Sequence, residues 1–264
     1  MRIALGVEYD GSRYYGWQSQ PDMLNVQDTL ESALSSLADE RISIIAAGRT
    51  DTGVHALEQI IHFDATNARP LNAWVRGTNA LLSRDIAVLW AHTVPDEFHA
   101  RFSAQARNYQ YVMINRPSRS AVHHGKVGWF HLPLDIAAMR SAAQYLLGEH
   151  DFSAFRSSQC QAKTPVKNLT QFDIRQDGDT ITFDLTANAF LHHMVRNIIG
   201  CLVYVGKGKY PPQWLLQVLA SGDRSQAAPT FAPDGLYLRH ITYDAKWALP
   251  QGTMPSRNQT QTSR

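Results

Sequence analysis

Apolar side chains recur with changing period along the first hundred residues, and each period predicts an element. They fall on every second position from Ile3 to Tyr9, which is the alternation of a strand with one apolar face. From Val26 to Leu37 they recur at helical spacing after Asn25, a suitable N-cap, and this predicts a helix. Further patterns predict strands at 42–46, 59–63 and 86–94 and a helix at 72–82. The order β-α-β-β-α-β is that of a ferredoxin-like unit.

The second half of the chain repeats this kind of order. Its patterns predict strands at 107–115, 166–175, 180–187 and 236–243, and helices at 135–147, 188–205 and 211–220. Asn188 is the predicted N-cap of the long apolar helix. The sequence therefore predicts an α+β fold of two ferredoxin-like halves, residues 1–105 and 106–249, which share one mainly antiparallel sheet with a central cleft. The segment 250–264 has almost no apolar residues and is predicted to be disordered.

Composition narrows the class of protein. With 264 residues, 44% hydrophobic and 18% charged, the chain has the balance of a soluble globular protein. Glu8 and Asp10 come too early for a signal peptide, and no run approaches the roughly 18 apolar residues of a membrane span. Cys160 and Cys201 are the only cysteines and are not spaced as a metal-binding pair. We therefore expect a cytoplasmic protein with reduced thiols and no membrane partner.

The charge distribution does not identify a partner. A formal net charge of +2 is too small to indicate a nucleic-acid-binding protein by itself. Local basic clusters are the candidates for such a surface, although each is equally compatible with a solvated face. They are Arg101 with Arg107, the group Arg116, Arg119, His123, His124 and Lys126, and Lys163 with Lys167.

One polar loop between two predicted strands collects reactive groups. Gly48 to His55 reads Gly-Arg-Thr-Asp-Thr-Gly-Val-His and presents a guanidinium, a carboxylate and an imidazole. Its two glycines permit backbone angles that other residues avoid, so the loop has a defined shape. Taken alone, it is compatible with an Asx-type turn in which Asp51 caps its own backbone.

Arg196 is the second unusual feature. It is the only fully charged residue of the predicted apolar helix 188–205. An arginine in that position either extends its head group to solvent at the rim or is buried against a carboxylate. The hydrophobic pattern does not decide between these alternatives.

The loop resembles the Gly-Arg-Thr-Asp-Ala-Gly-Val-His signature of the TruA-type tRNA pseudouridine synthases. Four other segments resemble that family in the same order, from about Ile3 to Tyr243: Glu8-Tyr9-Asp10-Gly11, Tyr15-Gly16-Trp17-Gln18, Phe98-His99-Ala100-Arg101-Phe102 and His192-His193-Met194-Val195-Arg196-Asn197. The sequence departs from the usual pattern at Thr52, where the family has Ala, and at Glu58, where Gly is common.

The resemblance implies a pseudouridine synthase fold and an isomerase that converts uridine to pseudouridine at positions 38, 39 and 40 of the tRNA anticodon stem-loop. It also implies a homodimer that binds tRNA, base flipping before the reaction, and no cofactor. The sequence agrees on the last point, because it has no Gly-x-Gly-x-x-Gly, and Gly206-Lys207-Gly208-Lys209 lacks the spacing of a P-loop. We predict no metal, since His192 and His193 would lie on different sides of a helix.

The resemblance also assigns roles to residues. It implies that Asp51 is catalytic and paired with Arg196, and that Tyr109 lies against the target base, although ordinary strand packing also explains Tyr109. Arg49 matches a wedge that fills the place of the flipped nucleotide. Two segments match RNA contacts of the family: Phe98, His99, Ala100, Arg101 and Phe102, and then Gln159, Cys160, Gln161, Ala162 and Lys163.

Two other functions remain as alternatives. A non-catalytic RNA-binding module on the same sheet predicts that Asp51 is dispensable and that Arg196 lies on the surface. A nucleoside hydrolase that uses Asp51 predicts free uracil as a product.

Overall fold

The computed structural model describes residues 1–250, so the predicted disorder of 250–264 falls outside the described residues except at Pro250. In this part of the chain there are ten strands: β1 (Arg2–Tyr9), β2 (Ile45–Ala46), β3 (His55–Asp64), β4 (Ile86–Val94), β5 (Ala104–Asn115), β6 (Gly128–Phe130), β7 (Gly148–Asp151), β8 (Val166–Asp177), β9 (Thr180–Ala187) and β10 (Leu236–Tyr243). It also contains five α-helices: α1 (Val26–Ala38), α2 (Leu71–Leu81), α3 (Ile136–Gln144), α4 (Met194–Gly206) and α5 (Trp214–Ser221). No helix within residues 1–250 is long and apolar enough to cross a membrane.

All ten strands belong to one sheet, ordered β4-β1-β3-β10-β5-β9-β8-β7, with β2 on β3 and β6 on β5. Within the described residues only the pairs β3–β10 and β5–β6 are parallel. The predicted α+β class with a mainly antiparallel sheet is therefore confirmed. The helices pack on this sheet and on one another, with α2 on β4, α3 on β8, and α4 against α3 and α5.

The same strand order occurs twice. The first unit is ordered β4-β1-β3-β2, and the second is ordered β10-β5-β9-β8. In each unit the fourth strand lies beside the first, as in a ferredoxin-like arrangement. The division into halves at residue 105 stays a prediction, and that position falls inside β5.

Strand β1 is more buried than its alternation predicts. It lies between β3 and β4, and its residues from Ile3 to Val7 are all buried, including those expected to face solvent. A Cβ at Gly6 would lie 2.3 Å from Nε1 of Trp90 on β4. The small residues of β1 therefore make room for large side chains of its neighbours.

The predicted helix 188–205 begins later than its hydrophobic pattern indicates. Helix α4 starts at Met194, and its N-cap His193 has the left-handed φ of 64°. The Asn188 side chain instead accepts hydrogen bonds from the backbone N–H of Asn168 at 3.0 Å and of Ala189 at 2.8 Å. The prediction that Asn188 caps this helix is wrong, because Asn188 is used to join β8 to the loop before α4.

Smaller differences have local causes. Residues 42–44 are not in a strand, because their backbone groups bond to side chains of α1. The N–H of Ile42 donates to Oγ of Ser35, and the N–H of Ile44 donates to Oε1 of Glu31. Helix α3 ends at Gln144, three residues before the predicted end, and the following segment forms β7. Strands β6 and β7 are absent from the sequence prediction, because three or four residues carry too little alternation to indicate a strand.

Close packing of α4 leads to a stability prediction. A Cβ at Gly200 would lie 2.2 Å from the backbone carbonyl oxygen of Pro229. Ala stabilises an exposed helix by about 1 kcal/mol relative to Gly, but this overlap with backbone costs about 1–3 kcal/mol. We therefore expect Gly200→Ala to lower the melting temperature, by about 2–4 °C per kcal/mol lost. Thermal unfolding followed by circular dichroism measures the change.

The matched control is Gly77→Ala, a second glycine inside a helix. There the added Cβ would meet only the side chain of Leu37, at 2.7 Å from its terminal Cδ1, which can move. We expect Gly77→Ala to be neutral or mildly stabilising. Equal melting temperatures for the two variants would contradict the close approach of α4 and the 229–231 segment.

Candidate active site

The loop before β3 is held in place by its backbone. The N–H of Val54 donates to the carbonyl of Asp51 at 3.1 Å, and the N–H of Trp17 donates to the carbonyl of Thr50 at 3.0 Å. Gly53 has a φ of 78° and Gly16 a φ of 87°, both in the left-handed region. A Cβ at Gly16 would also lie 2.8 Å from the Thr50 carbonyl oxygen. Glycine at these two positions lets the loop turn and lets the 14–18 segment lie against it.

His55 shapes the loop and does not face the open site. Its ring is buried and stacks on Tyr237, with 4.6 Å between centroids. Burial first, and the nearby Lys126 second, lower the pKa of His55, so the ring is neutral at neutral pH. Its Nδ1 accepts the N–H of Gly11 at 3.1 Å, and its Nε2 donates to the carbonyl of Asp234 at 3.1 Å. A ring with both nitrogens used in this way is structural.

Asp51 and Arg196 form the predicted contact. Nη1 of Arg196 donates to Oδ2 of Asp51 at 3.1 Å, and Nε of the same guanidinium donates to the carbonyl of Phe231 at 2.9 Å. The side chains retain 17% exposure at Asp51 and 14% at Arg196. Arg196 is therefore mostly covered and paired with a carboxylate, as the second alternative predicts, and it does not take the surface position expected for a simple binding module.

Two histidines complete the surroundings of Asp51. Nε2 of His192 lies 3.3 Å from Oδ1, and Nε2 of His193 lies 3.5 Å from Oδ2. Both histidines precede α4, so they do not lie on different sides of a helix as the sequence analysis expects, and their ring centroids are 4.0 Å apart. The signal that could have found them was their adjacency to Arg196 in the same motif.

The donor atoms of Asp51, His192 and His193 lie within 4.8 Å of one another, close enough to share a metal ion. The permanently charged Arg196 occupies one oxygen of the same carboxylate and opposes a cation there. The group therefore fits an ion-paired carboxylate better than a metal centre. The expectation of no metal stays a prediction.

Asp51 is ionised at neutral pH. Burial acts to raise the pKa of its carboxyl, but the His192 hydrogen bond and the charges of His193, His192 and Arg196 outweigh burial, and the pKa is lowered. Burial also lowers the pKa of His193, so this ring loses its proton readily as pH rises. Arg196 is the partner whose charge does not depend on pH in this range.

Tyr109 lies close to this carboxylate on β5. It is buried and packs edge-on against Phe190, with 5.1 Å between ring centroids. Burial first, and the charges of Tyr9 and Asp51 after it, raise the pKa of its hydroxyl, so the phenol stays protonated. The influence of the Asp51 charge on its hydroxyl is consistent with the implied contact to a base, and its packing on Phe190 also satisfies the alternative of ordinary strand packing.

Arg107 connects the loops around the site. The sequence analysis identifies it only as a member of a basic cluster with Arg101. Its guanidinium donates to four backbone carbonyls: Ala47 at 3.1 Å, Arg101 at 2.8 Å, Ala104 at 3.1 Å and Asn188 at 2.8 Å. Burial lowers its pKa, although an arginine remains charged at any physiological pH. Arg107 is therefore a clamp between the loop before β3, the 98–103 segment and the segment before α4. No sequence motif indicated this role.

The predicted third RNA segment lies beside the site. The N–H of Ser157 donates to the carbonyl of His192 at 3.0 Å, and Sγ of Cys160 accepts the N–H of His192 at 3.4 Å. Nη1 of Arg49 donates to Oε1 of Gln161 at 2.9 Å, which joins this segment to the signature loop. The other predicted members, Gln159, Ala162 and Lys163, are at least partly exposed.

The 98–102 segment is divided between core and surface. The side chains of Phe98 and Ala100 are fully buried, so these two residues belong to the core, and the implied RNA contact of the segment stays a prediction. Phe102 is 76% exposed and stacks on His99, with 4.3 Å between centroids. The guanidinium carbon of Arg101 lies 5.6 Å from the Phe102 ring. Of this segment, only His99, Arg101 and Phe102 have side chains that reach the surface.

Four cations of the predicted basic clusters have internal partners: Arg107, which binds carbonyls, Arg116, which pairs with Asp179, Lys126 and Lys167. Lys126 forms an ion pair with Asp10, whose pKa is about 2 because this pairing and the Ser12 hydrogen bonds outweigh burial. Lys167 is buried, and its Nζ donates to the carbonyls of Thr164 at 2.6 Å and Val166 at 2.8 Å. Neither is a free phosphate contact.

A family model described as tRNA pseudouridine synthase matches residues 6–103 and 142–244 of this chain. The chain belongs to the tRNA pseudouridine synthase family. Asp51 and Arg196 lie within the two matched segments, and Tyr109 lies between them.

Curated relatives match over nearly the whole chain. A tRNA pseudouridine synthase A of Nitrosomonas europaea is 57% identical over 250 residues, which cover 95% of this chain and 92% of that protein. That of Burkholderia thailandensis is 57% identical over 256 residues, 97% of this chain and 95% of the relative. That of Paraburkholderia xenovorans is 59% identical over 249 residues, 94% of this chain and 92% of the relative. The family resemblance and the pseudouridine synthase fold inferred from five motifs are therefore confirmed.

The ion pair generates a prediction about Asp51. In Arg196→Gln the constant positive charge is lost and burial remains, so the pKa of Asp51 rises. Selective ¹³Cγ labelling of aspartate, with Asp51→Asn used to identify the resonance, measures this by an NMR pH titration. Arg76→Gln, a change on the exposed face of α2, serves as the control and leaves the Asp51 midpoint unchanged. The same midpoint in Arg196→Gln and wild type would rule out the electrostatic coupling.

The lowered pKa of Asp51 makes the stability of the fold depend on pH. The folded-state pKa of Asp51 is lowered, so its ionised form stabilises the fold above the unfolded-state pKa of about 3.9, and this contribution is lost as pH falls through the folded-state pKa. Breaking a fully buried ion pair costs about 3–5 kcal/mol, and we expect less here because both side chains keep some exposure.

Proposed function

We propose that this chain isomerises uridine to pseudouridine in tRNA, with Asp51 as the catalytic carboxylate. In a member of the tRNA pseudouridine synthase family, an ionised aspartate is held by Arg196 on a loop that remains partly open to solvent. An ionised carboxylate positioned in this way is competent for nucleophilic or electrostatic catalysis.

The bonds that break and form in the reaction determine what the site must provide. The C1′–N1 bond breaks, the uracil turns, and a C5–C1′ bond forms, while N1 gains a proton and C5 loses one. The net change is an isomerisation, so no oxidant, reductant or energy source is consumed. Asp51 attacks or stabilises an electrophilic centre of the ribose or of the base, or assists removal of a proton from the sugar, and Arg196 keeps the carboxylate charged and oriented throughout.

Tyr109 is proposed as the surface against which the uracil turns. Its strand β5 lies between β9 and β10, and its ring packs edge-on against Phe190, so it offers a rigid aromatic face. The phenol remains protonated because its pKa is raised, and it can donate to the base but cannot act as a strong base itself.

A base within a stem has to leave the stack before it reaches Asp51, at a cost of a few kcal/mol. Arg49 is proposed to occupy the vacated place. In the free protein its guanidinium is exposed and held by Gln161, a weak neutral partner that RNA can replace. Phe102 with Arg101 is proposed as a second contact, because an exposed ring beside a guanidinium suits stacking on nucleotides.

The finer parts of the proposal come from the family resemblance. They are the modification of positions 38, 39 and 40 in the anticodon stem-loop and the action of a homodimer on one tRNA. A cytoplasmic location is supported by two free thiols, those of Cys160 and Cys201.

Of the two alternatives, the RNA-binding module is disfavoured by the paired, largely buried Arg196. The nucleoside hydrolase uses the same aspartate and differs in its product. Only an assay that follows the base distinguishes hydrolysis from isomerisation.

The first test compares wild type with Asp51→Asn on a tRNA transcript that carries tritium at C5 of uridine. We expect tritium release by wild type, because C5 exchanges its proton for the bond to C1′. Loss of the charged carboxylate should reduce release by at least about 10³-fold. Binding of the same tRNA should change by less than about tenfold.

A product analysis provides the control. Carbodiimide derivatisation, which marks pseudouridine, followed by nuclease digestion and mass spectrometry should show pseudouridine at positions 38 to 40 and no abasic site, which excludes hydrolysis. Binding of tRNA without tritium release from any tRNA tested would leave the binding-module alternative. Release by Asp51→Asn at the wild-type rate would remove Asp51 from the reaction.

Tyr109→Phe separates the ring from the hydroxyl. The variant keeps the aromatic face, so we expect the tRNA affinity to stay within about threefold and the single-turnover rate to fall by about 10²–10⁴-fold if the phenol moves a proton. A rate equal to that of wild type would restrict Tyr109 to stacking. Tyr111→Phe is the matched control on the same strand, since its buried hydroxyl donates only to the carbonyl of Ala232 at 2.9 Å.

A further inference from the structure

A cavity of about 470 Å³ opens beside the Asp51 site, between the 153–158 segment and the start of α4. All of its lining side chains are polar, and they include Arg156, Arg224, Ser157, Ser158, Asn197 and Thr230. His193 also lines it and is shared with the Asp51 site, since its Nε2 lies 3.5 Å from that carboxylate. No role is assigned to this cavity by the family signature or by the reaction described above.

Arg224 is held rigidly at this cavity by neutral groups. Its Nη2 donates to Oδ1 of Asn197 at 3.1 Å and to Oγ1 of Thr230 at 3.1 Å. Asn197 is fully buried, and its own Nδ2 donates to the carbonyl of Phe155 at 2.7 Å. The guanidinium is thus fixed in direction before any ligand arrives.

Arg156 is held in the same manner. Its Nη2 donates to the carbonyls of Cys160 at 2.7 Å and Ala162 at 3.0 Å. Within residues 1–250 neither Arg156 nor Arg224 forms an ion pair, and no carboxylate lines the cavity. Two oriented guanidinium groups without a countercharge make a site for an anion supplied from outside.

The chemistry of the walls selects the kind of anion. Guanidinium and hydroxyl groups match the oxygens of a phosphate, whereas a flipped uracil needs an aromatic or apolar wall. Apart from the His193 ring, the lining has no such wall. The cavity therefore suits the backbone of an RNA strand, while the base belongs at Tyr109.

We propose that this cavity, which we call the Arg156–Arg224 pocket, binds a backbone phosphate of the RNA strand that delivers the target nucleotide to Asp51. The inference rests on the proposed function, because it takes tRNA as the ligand. His193 lies between the pocket and Asp51, so a phosphate held here is within one or two nucleotides of the reacting sugar. The pocket then fixes the position of that sugar along the strand.

The test uses the exposed Ser158 at the pocket, whose side chain makes no hydrogen bond within residues 1–250. Ser158→Glu places a negative charge there, and Ser158→Gln is the neutral control of the same size. We expect Ser158→Glu to bind an anticodon stem-loop RNA at least about tenfold more weakly than Ser158→Gln. In tritium release, KM should rise and kcat should change little, since the phosphate is held equally before and during the reaction.

A second variant tests the arginine itself. Arg224→Gln should reduce the slope of log Kd against log salt concentration by about 0.7–0.9, the value of one phosphate contact. RNAs with one neutral methylphosphonate, moved along the strand around the target uridine, locate the contact. At one linkage the methylphosphonate should lower the affinity of wild type, and at the same linkage it should not lower the affinity of Arg224→Gln any further.

The outcomes separate the two proposals. If Ser158→Glu binds as Ser158→Gln does while wild type forms pseudouridine, the pocket inference is overturned and the proposed function stands. If Ser158→Glu weakens binding and wild type forms no pseudouridine in any tRNA, the pocket stands as an RNA site and the proposed function fails. Should Arg224→Gln not fold, as melting would show, the Ser158 pair decides the matter.

Discussion

The contact between Asp51 and Arg196 is the constraint on which the site depends. A carboxylate with 17% exposure and a guanidinium with 14% exposure would each be costly without the other. The two residues are 145 positions apart, so the contact requires the signature loop and the start of α4 to meet across the sheet. The glycine turns, the clamp made by Arg107 and the bond from Arg196 to the Phe231 carbonyl all fix that meeting.

The arginines around the site are used in three different ways. Arg196 neutralises a carboxylate, Arg107 binds backbone carbonyls, and Arg224 binds neutral side chains. Within residues 1–250 neither Arg107 nor Arg224 pairs with a carboxylate, but of these three arginines only Arg224 lines the Arg156–Arg224 pocket, where an anion from outside can reach its charge. A net charge of +2 conceals this distribution, because the relevant quantity for binding a polyanion is the local charge that remains unpaired.

Hydrophobic period and capping residues were sufficient to predict most of the fold. The Asn25 cap, the strand at 86–94 and the hairpin of β8 and β9 follow directly from local pattern. The 188–193 segment does not, because a run of apolar residues cannot show that Asn188 would bond to Asn168 on another strand. That single error placed His192 and His193 on a helix and hid their approach to Asp51.

At the site, charged residues in an unusual sequence context were predictable, and residues that donate hydrogen bonds to backbone carbonyls were not. Asp51 and Arg196 are conspicuous in sequence, one in a glycine-rich loop and one on an apolar helix. Arg107 and Lys167 looked like surface cations, yet both satisfy carbonyl groups whose need for a donor exists only in the folded chain. Phe98 and Ala100 share a motif with exposed residues and still belong to the core.

The position of β10 has a consequence for synthesis of the protein on the ribosome. The last strand of the sheet is inserted between β3 and β5, and it is the only strand of residues 1–250 that pairs with both. Until Leu236–Tyr243 has emerged, β3 keeps an unpaired edge that invites association with other chains. The strand pairing that joins the two units therefore forms only after β10 has been made, later than both the loop that carries Asp51 and helix α4.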